Sequence, residues 1–165
     1  MSLGERREPR PAALSKQRLR LWLRLLGASR AVEGELRERL RRQFDATLPR
    51  FDVLAALDRN EAGMTMTELS RFLRVSNGNV TGIVDRLVSD GLVVRAQKDG
   101  DRRTSFVRLT PRGRSAFAEM AVVHEGWVDE LLSPLDGQAV DDLIVLLDRL
   151  RARQKTRQKT GKDER

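Results

Sequence analysis

Apolar residues recur at helical spacing along nearly the whole chain. From Leu14 to about Phe44, Leu19, Trp22, Leu23 and Leu26 form one stripe and Leu25, Val32, Leu36 and Leu40 an adjoining one, so this helix needs partners on two sides. Thr47 and Pro49 mark a second helix start, because threonine can cap and proline is tolerated in a first turn, and Phe51, Val53, Leu54 and Leu57 follow before Asn60 to Gly63 ends the element. Thr67 is expected to cap a short third helix with Leu69, Phe72 and Leu73 inward. After Val75, Ser76 opens a fourth that runs to about Ser89, where Gly91 stops it. In that helix Val80, Ile83, Val84, Leu87 and Val88 define the buried face.

The period then changes. Leu92 to Gln97 and Ser105 to Leu109 are short strand-like runs separated by KDGDRRT, whose Asp99-Gly100 step is a turn signal, so they read as a hairpin with a basic tip. Thr110-Pro111 opens a fifth helix with Phe117, Met120, Ala121, His124, Trp127, Val128 and Leu131 on one stripe; Pro134 breaks it. Asp136 can cap a last helix carrying Val140, Leu143, Ile144, Leu147 and Leu150. The fold class is therefore mainly α with a small β-hairpin: a winged helix-turn-helix flanked by N- and C-terminal helices. Residues 1–13 read as a flexible arm and 154–165 as a basic flexible tail.

Composition narrows the chemistry. The chain has 165 residues, no cysteine and one histidine, which removes thiolate nucleophiles, disulfides and nearly every zinc ligand set. No paired-carboxylate, nucleophile-base or glycine-rich phosphate motif stands in a plausible context, so neither an enzyme nor a cofactor is expected. No apolar run approaches a membrane span and no secretion signal is evident, so a cytoplasmic protein without a membrane partner is the expectation. The net charge is +8, unevenly spread: residues 64–113 hold nine basic and five acidic groups, net +4, whereas 114–150 hold two and eight, net −6. A basic middle suits contact with a polyanion.

The surface of residues 76–89 opposite the apolar stripe is made of Gly78, Gly82, Asp85, Arg86 and Ser89, flanked by Asn77, Asn79 and Thr81. Glycine within a helix costs roughly 1 kcal/mol relative to alanine, so two on the outward side need a reason, and close approach to a groove floor is one. Asparagine can pair with adenine, a threonine methyl can meet thymine, and Arg86 can reach guanine or phosphate. Lys98, Arg102 and Arg103 on the hairpin can enter a minor groove or neutralise phosphates, while Asp101 shapes the tip. Thr67 and Ser76, at the two helix starts, complete the expected duplex-DNA contacts.

The run DGDRRTSFVRLTPRG from Asp99 to Gly113 resembles the wing signature of the MarR (multiple-antibiotic-resistance regulator) family, with Asp101, Arg102, Arg103, Val107, Leu109, Thr110 and Gly113 matching D-R-R…V-x-L-T-x-x-G. VSNGNVTGIVDRLVSDGLV and LSPLDGQAVDDLIVLLDRL are similar to the same family's recognition and final helices. The resemblance implies a regulator domain over 14–153, with a DNA-binding lobe at about 49–110 and dimerisation helices at about 14–44 and 111–153. It implies a homodimer on a pseudo-palindromic site, acting as a repressor that a ligand loosens. SNGNVTGIVDRL after TLPRFDVLAAL is similar to family members that answer to aromatic acids or aromatic acyl-coenzyme A thioesters. Thiol-sensing members are set apart by their cysteine, which has no counterpart here. Trp22 and Asp52 stand near the places of urate-binding residues, whose arginine ligands do not transfer.

Two readings stand for Trp22, His124 and Trp127: they line an aromatic effector cavity, with arginines such as Arg24 and Arg30 holding the phosphates of a thioester, or they are core and dimer-packing residues. Asp52 belongs to the same effector set, or it merely favours the start of its helix. The rival to a specific regulator is a sequence-tolerant architectural DNA-binding protein.

Overall fold

A computed structural model describes the backbone of residues 11–98 and 101–163 and the side chains of residues 13–97 and 106–153. The elements run α1 (Pro11–Phe44), α2 (Leu48–Asp58), β1 (Met64–Thr65), α3 (Met66–Leu73), α4 (Asn77–Ser89), β2 (Val93–Lys98), β3 (Asp101–Leu109), α5 (Pro111–Leu132) and α6 (Gly137–Asp163). The chain divides after Trp127 into two compact units.

The first unit holds the core. Leu40, Val53, Leu54, Leu57, Leu69, Val80, Val84, Leu87 and Val107 are fully buried, which draws α1, α2, α3, α4 and β3 onto one centre. Each such side chain contributes about 2 kcal/mol by leaving water. The expected caps form at α2, where the Thr47 hydroxyl accepts from the Arg50 N–H, and at α4, where the Ser76 hydroxyl accepts from the Asn79 N–H at 3.4 Å. α4 ends as a left-handed glycine cap. Gly91 takes φ +70, its N–H donates to the Val88 carbonyl, and the Leu92 N–H reaches back to Leu87.

Four expectations need correction. Thr67 does not cap α3; it lies exposed inside the first turn. The cap is Thr65, whose hydroxyl accepts from the Glu68 N–H while the Glu68 carboxylate accepts from the Thr65 N–H at 2.8 Å, a reciprocal capping box. That bond is the main reason the Glu68 carboxyl sits below its ordinary range. Phe72 is not inward but half-exposed, because the buried face of α3 is centred on Leu69 and Ser70, the serine hydroxyl being satisfied by the Thr67 carbonyl. Val88, at the edge of the α4 stripe, is also exposed.

The third correction concerns the hairpin. Asp101 to Thr104 belong to β3 and not to a loop, so Lys98 pairs with Asp101, with a register shift between Gln97 and Lys98. A strand of two residues, β1, adds a third member, giving the antiparallel order β1-β3-β2 with Met64 opposite Val107. Gly63 admits this strand: it has φ +90, and a Cβ there would stand 2.9 Å from the Val107 carbonyl oxygen.

The fourth concerns the ends. α1 starts at Pro11, because proline followed by two alanines suits a first helical turn, and α6 runs on to Asp163 where a flexible tail was expected. Arg, Ala, Gln and Lys are good helix formers, and no glycine or proline interrupts residues 151–160. Residues 1–10 of the expected arm lie outside the described residues.

α5 opens as expected. The Thr110 hydroxyl accepts from the Gly113 N–H at 2.9 Å and donates to the Gly91 carbonyl at 2.7 Å, so one side chain joins the end of α4 to the start of α5. Gly113 is required: a Cβ there would lie 1.8 Å from the Leu92 carbonyl oxygen. In the second unit, Asp136 caps α6 by accepting from the Ala139 N–H at 2.9 Å, and Leu143, Ile144, Leu146, Leu147 and Leu150 are exposed along it.

Candidate nucleic-acid interface

α4 is anchored from one side only. Val80, Val84 and Leu87 sit in the core, and the opposite positions Gly78, Gly82, Asp85, Arg86 and Ser89 are exposed, as are Asn77, Asn79 and Thr81. A Cβ on Gly78 or Gly82 would meet no atom within 4 Å. Nothing within the protomer therefore requires glycine at either place, in contrast to Gly63 and Gly113. The Thr81 hydroxyl donates back to the Asn77 carbonyl at 2.9 Å, which restrains its exposed side chain.

Asp85 would repel phosphates if it stood alone. Arg95, from β2, forms an ion pair with it, so the negative charge on the exposed face is answered by the hairpin and the two elements are tied together. Sequence reading missed Arg95; its exposed position in a strand that pairs with the basic wing was the available signal. A second missed residue is Arg50 in α2, which reaches Asp90, the C-cap of α4. The two ends of the exposed helix are thus held, one by the Ser76 cap and the other by Arg50 and the Gly91 turn.

The wing residues Lys98, Asp101, Arg102 and Arg103 have their backbone in β2 and β3, and their side chains lie outside the described residues. The hairpin follows α4 directly, and the turn step Asp99-Gly100 also lies outside the described residues.

The expected effector residues do not converge within one protomer. His124 stacks on Phe51 with ring centroids 4.4 Å apart, and Trp127 packs obliquely on Phe44 at 6.2 Å. Trp22 is exposed on the same helix as Phe44 but 22 residues earlier, about 33 Å along its axis. Arg24 and Arg30 lie on the same stretch, exposed and roughly 20–30 Å from Phe44 by that helical rise. Desolvation against Phe51 lowers the His124 pKa below its ordinary 6.5. Desolvation, and then the charge of Glu33, raises the pKa of Asp52 above its ordinary range. A cavity of about 420 Å³ beside Trp127 is otherwise lined by Arg39, Arg42 and Gln43. A larger one, about 580 Å³, abuts the first turns of α4, with Pro49, Val75, Asn79 and Ile83 in its wall and Arg37 and Arg41 at its side. Among the described residues no helix is long and apolar enough to cross a membrane.

The sequence profile of the MarR family matches residues 44–104, from the end of α1 into β3. The helix-turn-helix-type transcriptional regulator YfiV of Bacillus subtilis is 28% identical over 142 residues, 82% of this chain and 86% of that protein. A MarR family transcriptional regulator from Silicibacter pomeroyi is 33% identical with a TM-score of 0.67, covering 86% of this chain and 96% of that one. A mutant MarR from E. coli, solved in complex with operator DNA, is 30% identical with a TM-score of 0.70, over 81% and 95% of the respective chains. These are the fold and family of transcriptional regulators.

Proposed function

The chain belongs to the MarR family of DNA-binding transcriptional regulators, and from that premise we propose that it is a ligand-responsive repressor that reads a pseudo-palindromic operator as a homodimer. The observation that carries this reading is the outward face of α4: two glycines with open space before them, set among Asn77, Asn79, Thr81 and Arg86, on a helix whose other side is locked into the core. Small residues let the backbone approach a groove floor, and the amides can then pair with base edges. Lys98, Arg102 and Arg103 supply phosphate and minor-groove contacts, with Asp101 shaping the turn; Thr67 and Ser76 meet the backbone at the helix starts.

Support for the homodimer comes from two uncovered apolar surfaces, Leu19, Leu21, Trp22 and Leu23 on α1 and the leucine stripe of α6. The effector is an aromatic acid or its coenzyme A thioester. The cavity beside Asn79 supports this response, because a guest held there by apolar walls and Arg37 or Arg41 abuts the reading helix. Trp22, Arg24 and Arg30 contribute only if the partner protomer brings them near His124, Trp127 and Asp52.

The test is a pair of substitutions on the purified protein. Arg103→Ala is expected to weaken binding to all duplexes and reduce the salt slope, whereas Asn79→Ala relaxes base preference. Equal effects of both on every duplex would contradict the division, and no preference for any site would favour an architectural binder. Thermal shifts with aromatic acids and thioesters test the effector; no response to either would end that part.

A further inference from the structure

Arg50 does more than hold Asp90. Its terminal nitrogen is engaged in that ion pair, but its Nε is buried with no hydrogen-bond partner in the protein. A buried guanidinium donor without a partner is costly, so its surroundings indicate what would satisfy it. Arg50 lines a cavity of about 160 Å³. That is room for about five waters, or for a guest of about ten heavy atoms, well below the size of a coenzyme A thioester.

Much of the lining is apolar: Leu54 and Met120, both buried, together with Phe44, Leu92 and Ala116. Two carboxylates also belong to the lining, Asp45 and Glu119, and both are exposed at the solvent side. Asp45 is held there by its backbone. It follows the last residue of α1 with φ +48, the left-handed conformation in which glycine would be the relaxed choice. The cavity is therefore lined by a guanidinium with one unpartnered donor, by apolar side chains and by two exposed carboxylates.

That set of charges discriminates between guests. A simple carboxylic acid would satisfy Nε but must settle against two negative groups, and a simple amine would satisfy the rim but leave Nε orphaned. We propose that this cavity is a binding site for a small apolar amino acid, whose carboxylate accepts from Arg50 Nε while its ammonium faces Asp45 and Glu119. Because Arg50 also holds the C-cap of α4, an occupant competes with Asp90 for the same guanidinium and registers at the end of the reading helix. This site is separate from the cavity beside Asn79 and takes a different class of ligand.

Calorimetric titration of the full chain with L-leucine and L-valine tests it, with 4-methylpentanoate and 3-methylbutylamine as controls that each lack one charge of leucine. Both amino acids are expected to bind more tightly than either control, by about tenfold or more for the missing charged contact. Ala116→Phe, which fills the cavity from α5, should abolish binding, and the surface change Glu119→Gln should weaken the amino acids while leaving 4-methylpentanoate unweakened. Absence of binding by either amino acid at millimolar concentration, a control that binds as tightly, or unchanged affinity in both variants would overturn the assignment. Duplex binding is measured on the same samples, so loss of this site and loss of the regulator reading are told apart.

Discussion

The lobe around α4 and the leucine stripe of α6 are built from the same kinds of residue but end in opposite states. In the first, Val80, Val84, Leu87 and Val107 lose all contact with water, helix ends are capped, and Arg50 and Arg95 hold the exposed helix from two sides. In the second, Leu143, Ile144, Leu147 and Leu150 keep about 38–53% of their surface exposed on a helix with an ordinary cap. A sequence can encode both, because helical periodicity specifies which side is apolar and not what covers it. The lobe is complete within one chain, and the stripe needs something more. A second protomer is the covering that the proposed function assigns to it.

Replacing Leu143 and Leu147 together by aspartate would break the comparison most sharply. Linked half-sites are lost with the dimer, so operator affinity should fall about 100-fold or more while the thermal transition of the lobe is retained. Sedimentation with parallel duplex titration checks this; a monomer with full affinity would contradict it. Within the lobe, Gly113→Ala should be the most damaging small change, destabilising by about 3 kcal/mol, since the Leu92 backbone cannot yield a contact of 1.8 Å without a shift of strand or helix. Denaturant titration reads this, and a change under 1 kcal/mol, roughly the cost of an ordinary helix substitution, would show that the α5 junction is pliable.

Gly82→Ala should act in the opposite direction on stability. With open space before the Cβ, it gains about 1 kcal/mol from helix propensity, yet it should weaken operator binding. A gain in stability with unchanged affinity would remove the groove-floor explanation. The smallest effect is on pH. His124 has its pKa lowered by desolvation, so the unfolded chain takes up a proton that the folded chain resists. Its contribution leaves stability flat above about pH 6.5 and reduces it as the pH falls below that value; His124→Gln should flatten the Tm profile in that window.

Much of this was legible in residues. Thr47, Ser76, Thr110-Pro111 and Asp136 mark real helix starts because a hydroxyl or carboxylate ahead of an apolar stripe is a local signal that tertiary structure seldom overrides. The expected cap, Thr67, lies two residues past the real one, Thr65. The reciprocal bond to Glu68 selects Thr65, and the Thr-x-x-Glu spacing was there to be read. β1 was not legible, since two residues carry no periodicity and the strand exists only by pairing with β3. Nor were Arg95 and Arg50, whose roles arise across 10 and 40 residues of sequence. Trp22 and His124 shared an apolar pattern, but helical rise separates them within one chain.

The central claim is that the glycine-faced α4 and its hairpin distinguish one DNA sequence from others. Fluorescence anisotropy of the purified chain, titrated at fixed salt into the duplex flanking its own gene and into a shuffled duplex of equal length, measures this directly. The account predicts tighter binding to the first by about 10³-fold or more, lost gradually as salt rises. Equal affinity for the two, at every salt concentration, would contradict it.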